Sequence, residues 1–463
     1  MNRTTTLLKP SLCAIAATLA LAGCAVGPDY VKPKLDIPAS FKEDGRWKTA
    51  EPQDAMPRGD WWAVFQDSTL NGLMDTLNQQ SPTIAQAEAQ YREAQAQLRQ
   101  AEAGLFPSLS ANASQSRGVA SPGAGTSNAY NLGLSASWEV DLWGGVRREV
   151  EAGKAKQQAS EAQLAAIRLS SQAQLATAYL QLVVADQQLA NLRDSEKALG
   201  ESLKLTRNQF AAGIVGDDAV ASAESQWNTA QAAVVDKQLT RAQLEHAIAA
   251  QLGQAPASFA LPPAATTPHL PQIPAGIPSA LLERRPDVAA AERNMAAANA
   301  GIGVAKSAFF PTLTLGASGG YRGSTFADWV TLPNRIWSIG PSLALTLFDA
   351  GLRSAQTDQA IASYDASVAS YRQTVLAALQ GVEDNLSAQS LLKEESGMQT
   401  AALASAKRAE TIAMNQYQAG TVAYLNVLSA QNARIAAENN LWTVVNRQYT
   451  GSVALIAALG GRW

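Results

Sequence analysis

Residues 132–140 read Leu132-Gly133-Leu134-Ser135-Ala136-Ser137-Trp138-Glu139-Val140. Apolar side chains stand at every second position, with Gly, Ser or Glu between them. A period of two gives an extended chain one apolar and one polar face. Held over about ten residues, this is the pattern of a strand with lipid on one side and water on the other. Shorter stretches repeat it at Leu109, Ala111 and Ala113, at Leu313, Leu315 and Ala317, and at Ile339, Leu343, Leu345 and Leu347. Strands are therefore expected at about 108–117, 129–141, 311–322 and 337–348. Between them, 115–128 and 320–336 are Gly/Ser-rich or polar and suit long loops.

Helical sequence brackets each strand pair. Residues 79–105 are rich in Ala, Gln and Glu, and Pro107 ends the run. After the strands, 145–207 contains no proline, which at about 1.5 Å per residue allows a helix of about 95 Å. Leu175, Leu182, Leu189 and Leu203 fall at heptad position a, and Ala178, Ala185, Leu192 and Leu199 at d. Alanine at half of these d positions implies close packing. A turn at Gly213 to Gly216 leads into a return helix, 218–252. The second half offers helices at 281–308, 351–417 and 425–459. In each half two short helices together match one long one, so each half reads as a long hairpin with an interrupted return strut.

The halves repeat each other. A shift of 204 lays Pro82 on Pro286, Glu88 on Glu292, Phe106 on Phe310 and Pro107 on Pro311. Shifts of 206 or 207 lay Gly145-Val146-Arg147 on Gly351-Leu352-Arg353, Gly213 on Gly420, and Leu252-Gly253 on Leu459-Gly460. So long a period means a duplicated unit rather than a solenoid. The repeats are placed at 61–253 and 279–463, joined by the stretch 254–278 with its seven prolines. Ahead of them, 24–60 has no helical or strand period and reads as an extended tether.

The first residues carry an address. Arg3 and Lys9 precede an apolar run from Leu12 to Ala22, closed by Leu21-Ala22-Gly23-Cys24. The run is too short to span a membrane and reads as a signal peptide, 1–23. Its end resembles a lipobox, with cleavage before Cys24 and lipid on its sulfur. In the lipoproteins that this end resembles, Ala25 in place of Asp favours outer-membrane sorting. Removing residues 1–23 takes away Arg3, Lys9 and no acid, so the net charge moves from −3 to −5. No basic block supports nucleic-acid binding. Cys13 and Cys24 are the only cysteines, which leaves no free thiol for a disulfide, a metal site or catalysis. No later apolar run is long enough for a membrane helix, so a membrane span must be a β-barrel.

Four strands cannot close on themselves in lipid, because unpaired edge groups are costly there. Other copies must complete the barrel. Two copies give a side-chain-filled lumen and three give a pore, in a closed cyclic ring. Phe106, Tyr130, Trp143, Phe309, Phe310, Tyr321 and Trp337 are candidates for the interfacial aromatic girdles.

The chain resembles the TolC-type outer-membrane efflux channels, in the lipoprotein branch that includes OprM and the NodT-like proteins. Cys24 followed by Gly27-Pro28-Asp29-Tyr30 and Pro33 carries the resemblance. So do Trp61-Trp62 with Phe65, Asp67 and Leu70, Leu105-Phe106-Pro107, and Trp138-Glu139-Val140-Asp141-Leu142-Trp143-Gly144. The most specific segment is Leu281-Leu282-Glu283-Arg284-Arg285-Pro286-Asp287-Val288. The resemblance implies mixed α and β structure: a long α-helical hairpin tunnel, and four antiparallel strands contributed to a trimeric, twelve-stranded transmembrane barrel. It also implies a homotrimer in outer-membrane lipid, working with a periplasmic adaptor and an inner-membrane pump of the resistance-nodulation-division type. Small molecules such as drugs would pass without chemistry or cofactor. Gly213 and Gly420 match the tip positions where adaptor helices dock; each also suits a plain helix C-cap. Relatives often carry gate aspartates after the second tip, where this chain has Asn426 and Ser429. Asp217 and Asp218 on the first tip could supply a charged ring instead, or could simply cap a helix.

Two rivals are weaker. Catalysis would have to rest on His246 or His269, and neither lies in a metal, nucleophile or phosphate motif. A periplasmic coiled-coil structural or adaptor lipoprotein would explain the helices but not the alternating strands.

Overall fold

The computed structural model describes residues 25–33, 59–119, 125–264, 266–271 and 285–461. The signal peptide, Cys24, most of the tether and Leu281 to Arg284 lie outside the described residues.

A short 3-10 turn, Trp61–Phe65, precedes the first helix, and Trp61, Trp62 and Phe65 are buried. Asp67 then caps α1 (Ser68–Gln80), its Oδ1 accepting from the Leu70 N–H at 2.8 Å. Leu70, Leu73, Met74 and Leu77 fall on one face and are buried. The helix expected over 79–105 begins three residues later, and α1 ahead of it is a separate helix. Ser81 is extended, and Pro82 opens α2 (Pro82–Ala103). Proline suits a first helical position, because the N–H it lacks would have no partner there.

Next come β1 (Ser108–Val119), β2 (Thr126–Val140) and the 67-residue α3 (Gly145–Ala211). The return helix α4 is Asp217–Gln251. The second half supplies α5 (Pro286–Ser307), β3 (Thr312–Gly323), β4 (Arg335–Ala344), the 67-residue α6 (Leu352–Gln418) and α7 (Tyr424–Ala458). The strands reach into the expected loops. Pairing continues through Gly118↔Ser127, Val119↔Thr126 and Tyr321↔Arg335, because backbone pairing does not require apolar alternation. At its far end β4 stops at Ala344, opposite the first residue of β3, rather than running to 348.

Compact units do not follow the repeat boundary. One comprises Met1–Leu35, Gln90–Glu161 and Ala290–Gln373; the other comprises Asp36–Ala89, Ala162–Ala289 and Thr374–Trp463. Each draws on both repeats.

In the first unit the strands form one antiparallel sheet in the order β1-β2-β3-β4, so β1 and β4 are both edges. Registered neighbours share a face. One face holds the row Leu109, Ala136, Ala317, Ile339 and the row Ala111, Leu134, Gly319, Trp337. The other holds Ser110, Ser135, Ser318 and Ser338. Serine hydroxyls pair across strands there, Ser110 with Ser135 and Ser318 with Ser338, each at 2.8 Å. From Val140 to Tyr130 the apolar face of β2 covers ten residue steps, about 33 Å along the strand. Tilted by about 40°, that length fits an apolar band about 25 Å tall. Leu109, Leu134, Trp337, Ile339 and Leu343 on this face are exposed in the single chain.

An aspartate turns each strand pair into its long helix. Asp141 accepts from the N–H groups of Val146 and Arg147 and from Arg147 Nε. Asp349 accepts from the N–H groups of Gly351 and Arg353 and from Arg353 Nε at 2.5 Å. Arg353 also lies 5.2 Å from the centre of the Phe309 ring. The Arg353 contact and the helix N–H groups hold the half-buried Asp349 carboxyl below its usual pKa.

The second unit contains the main apolar core. Leu175, Leu180, Leu182 and Val183 of α3 pack there with Phe65, Leu70, Met74, Leu77, Ile248, Leu455 and Ile456. Burial around 175–185 is wider than the expected heptad seam, because α1 and the 3-10 turn cover faces that a bare hairpin would expose. The chain after α4 is fastened to the helices. Asp186, with its side chain 2% exposed, pairs with Arg241 Nε at 2.6 Å and accepts from Ala264 N at 2.9 Å. Arg241 donates to Leu261 O, and Glu245 accepts from Leu261 N. The end of each return helix abuts the start of the short helix of its own half. A Cβ on Gly253 would lie 2.8 Å from Gln80 O, and Arg285 donates to Ala458 O at 3.0 Å.

Candidate functional site

The two hairpin turns of the second unit lie side by side. Each long helix ends in the same way. At the first turn Gly213 N donates to Phe210 O and Ile214 N to Gln209 O; at the second, Gly420 N donates to Tyr417 O and Thr421 N to Gln416 O. Gly213 and Gly420 both have φ +72°, which an L side chain adopts at a cost. These are Schellman caps. No atom lies within 4 Å of a Cβ built on either glycine, so both caps face open space.

A small core ties the turns together. Leu203, Val220 and Ala223 of the first hairpin pack against Tyr417, Tyr424 and Val427 of the second. Tyr417 and Tyr424 have ring centres 5.4 Å apart. The Ser202 and Tyr424 hydroxyls share a hydrogen bond of 2.9 Å, and the Tyr417 hydroxyl donates to Gln209 Oε1. Burial raises the Tyr424 pKa above its ordinary value, with a smaller push from Tyr417. Further along, Arg434 pairs with Glu410 at 2.7 Å and Glu438 at 2.9 Å, and donates to Ser195 Oγ at 3.1 Å.

Asp217 and Asp218 are exposed in the first turn of α4. They do not cap it: the cap position is Gly216, with no side-chain bond. One and two residues inside the helix, their charges still favour its positive end. The equivalent positions in the second hairpin are Tyr424, buried, and Leu425, 66% exposed. Asn426 and Ser429 are exposed three residues apart on α7. The hairpins are thus unequal, with carboxylates on one and apolar and amide groups on the other. Among the described residues no group of His, Cys, Asp and Glu could hold a metal ion, and no helix is long and apolar enough to cross a membrane.

The profile of the family described as "Outer membrane efflux protein" matches residues 73–254 and 277–461. The chain belongs to this family. Its two matched segments each contain one strand pair and one hairpin. A probable efflux pump outer membrane protein, TtgC of Pseudomonas putida, is 31% identical over 98% of this chain and 96% of its own length. The cation efflux system protein CusC of Escherichia coli is 27% identical over 96% of this chain and 97% of its own length. Among solved structures, the outer-membrane channel OprN aligns with a TM-score of 0.85 at 31% identity, covering 95% of this chain and 100% of that one. CusC aligns at 0.84 and 26% identity, covering 95% and 100%. As a member of this family the chain is an outer-membrane component of efflux, with the mixed helix-and-sheet fold of its channels.

Sequence reading located the glycines and the first-turn carboxylates of this efflux protein but missed the groups that join its hairpins. The repeat offset did hold a signal. It lays Val427 on Val220, and both are buried in that contact; Phe210, on which Tyr417 falls, stays exposed.

Proposed function

We propose that three copies of this chain form a passive exit duct of a tripartite efflux pump, with a twelve-stranded barrel in the outer membrane. The observation that carries this reading is the four-stranded sheet with two unpaired edges and an exposed apolar face. In lipid each unpaired backbone group costs several kcal/mol, so the edges require partners, and copies of the same chain supply them. The serine-lined face then surrounds the lumen. Solute moves through without covalent change, and specificity belongs to an inner-membrane pump of the resistance-nodulation-division type.

Extraction and electrophoresis test this. The protein should resist carbonate extraction, run as a heat-modifiable trimer, and conduct ions in a planar bilayer. Carbonate release with a monomeric band would instead favour a coiled-coil lipoprotein that does not span the membrane. Cys24 carries the lipid in this reading, and a free Cys24 thiol in the mass spectrum of the N-terminal peptide would refute that. Gly213 and Gly420 present bare caps to a periplasmic adaptor. Asn tolerates positive φ, so Gly213→Asn with Gly420→Asn keeps the caps while adding bulk. Adaptor cross-linking should fall; undiminished cross-linking would remove the docking role.

A further inference from the structure

The loop between β3 and β4 is folded rather than open. Asn334 Nδ2 donates to Asp328 O at 2.9 Å, and the Thr331 hydroxyl donates to Asp328 O at 2.7 Å. Trp329 closes on Gly323, where a Cβ would stand 2.9 Å from it. Tyr130, Phe326 and Trp329 form an aromatic group with ring centres 5.7 to 6.2 Å apart. Tyr130 lies opposite Gln115 and Gly323, in the same column as Leu132 and Leu134, so this group sits on the apolar face of the sheet. Phe326 remains 70% exposed and Leu332 74%.

Two arginines share that face. Arg117 pairs with Asn128 in the column of Leu109, Ala111 and Ala113; Arg335 pairs with Tyr321, directly above Trp337 and Ile339. Both are exposed, and neither has an ion-pair partner among the described residues. Arg322 lies at the same end but on the serine face, opposite Asn131. The sole acid at this end of the described sheet is Asp328.

We infer that this rim, Arg117 and Arg335 beside the Tyr130–Phe326–Trp329 group, docks a phosphate-bearing glycolipid of the outer leaflet. The inference rests on the barrel reading. In that reading the long helices are periplasmic, so the hairpin end of the sheet faces outward. A guanidinium one step above an apolar band cannot enter hydrocarbon and reaches to the headgroup level. There it meets phosphate, which it binds through two parallel N–H···O bonds. The aromatic rings fill the layer between acyl chains and headgroups. The charge is complementary, and the patch continues the lipid-facing columns without a break.

Native mass spectrometry of the protein extracted in mild detergent tests this. The wild-type protein should retain phosphorylated glycolipid. R117Q with R335Q should weaken retention by about fivefold per arginine, about 25-fold for the pair. R322Q removes the same charge from the opposite face and should change nothing. Equal loss in R322Q, or full retention in the double variant, would overturn the site. If the double variant does not assemble, the wild-type protein can be offered glycolipid stripped of its phosphates. Retention should then vanish, and undiminished retention would overturn the site. Failure of the barrel reading shows separately, as absence of the heat-modifiable trimer.

Discussion

Asp217 and Asp218 stand exposed in the first turn of α4, and the second hairpin has no matching acids. In the proposed duct, three copies of the chain would bring six carboxylates to one level, where they attract cations. Asp217→Asn with Asp218→Asn should therefore lower cation-over-anion permeability severalfold in bilayer recordings, with helix content unchanged. Unaltered selectivity would reduce these residues to favourable charges at a helix end. Tyr424 tests the junction between hairpins. Its folded-state pKa lies above the ordinary value of 10.0, chiefly through burial. The unfolded phenol therefore ionises first. The stability Tyr424 contributes is fully present below about pH 10 and is lost as pH rises through the folded value. Tyr424→Phe should cost about 1 kcal/mol at neutral pH by removing the bond to Ser202. It should also make the alkaline decline in melting temperature shallower. An identical alkaline slope would show that Tyr424 is not among the groups titrating.

Four helices end on a glycine in the left-handed region, and the repeat pairs them as Gly213 with Gly420 and Gly253 with Gly460. Their surroundings differ, which separates strain from packing. Gly213 opens to empty space, whereas a Cβ on Gly253 would meet Gln80 O at 2.8 Å and the Pro82 ring at 3.1 Å. Gly213→Ala should cost about 1 kcal/mol, the price of a side chain at positive φ. Gly253→Ala should cost about 2–4 kcal/mol, because overpacking adds to that strain. Equal losses in denaturant melts would mean that the helix ends part freely. These ends also show what was legible. Leu252-Gly253 and Leu459-Gly460 were visible as repeats, and alternation gave every strand, because both signals are local and periodic. The start of α2 at Pro82 is a local signal too, since proline suits a first helical position. What escaped was non-local: Asp186 against Arg241, Tyr424 against Ser202, and the core that covers α3 on several sides. Each brings together residues far apart in sequence, and no spacing along the chain encodes such a pairing. Similarly, nothing periodic marks Arg117 and Arg335 as sharing a face until register is known.

At the level of the whole molecule, the question is what satisfies the outer edges of β1 and β4. Among the described residues no strand pairs with either edge, and β1 is exposed along its whole length. A long unpaired edge invites either ring closure or uncontrolled strand addition. Cysteine cross-linking distinguishes these outcomes. The sequence helps, since Cys13 and Cys24 are its only cysteines, and in the proposed mature form one is removed and the other lipidated. Single cysteines at Ser110, Asn112 or Ser114 on β1 can be combined with one at Ser338, Gly340 or Ser342 on β4, all on the serine-bearing face. Directly opposed residues on paired strands bring Cβ atoms within about 5.5 Å, so only combinations near the true register should oxidise. A ring of three should give covalent dimers and trimers on a non-reducing gel, and nothing larger at full oxidation. A ladder beyond three would mean open strand addition. No cross-link in any combination, with folded protein confirmed by melting, would mean that β1 and β4 do not meet and that another element covers the edges. The successful combination would also fix the stagger between copies. Stagger and strand number together set barrel diameter, so this measurement links one chain's sheet to the width of the pore.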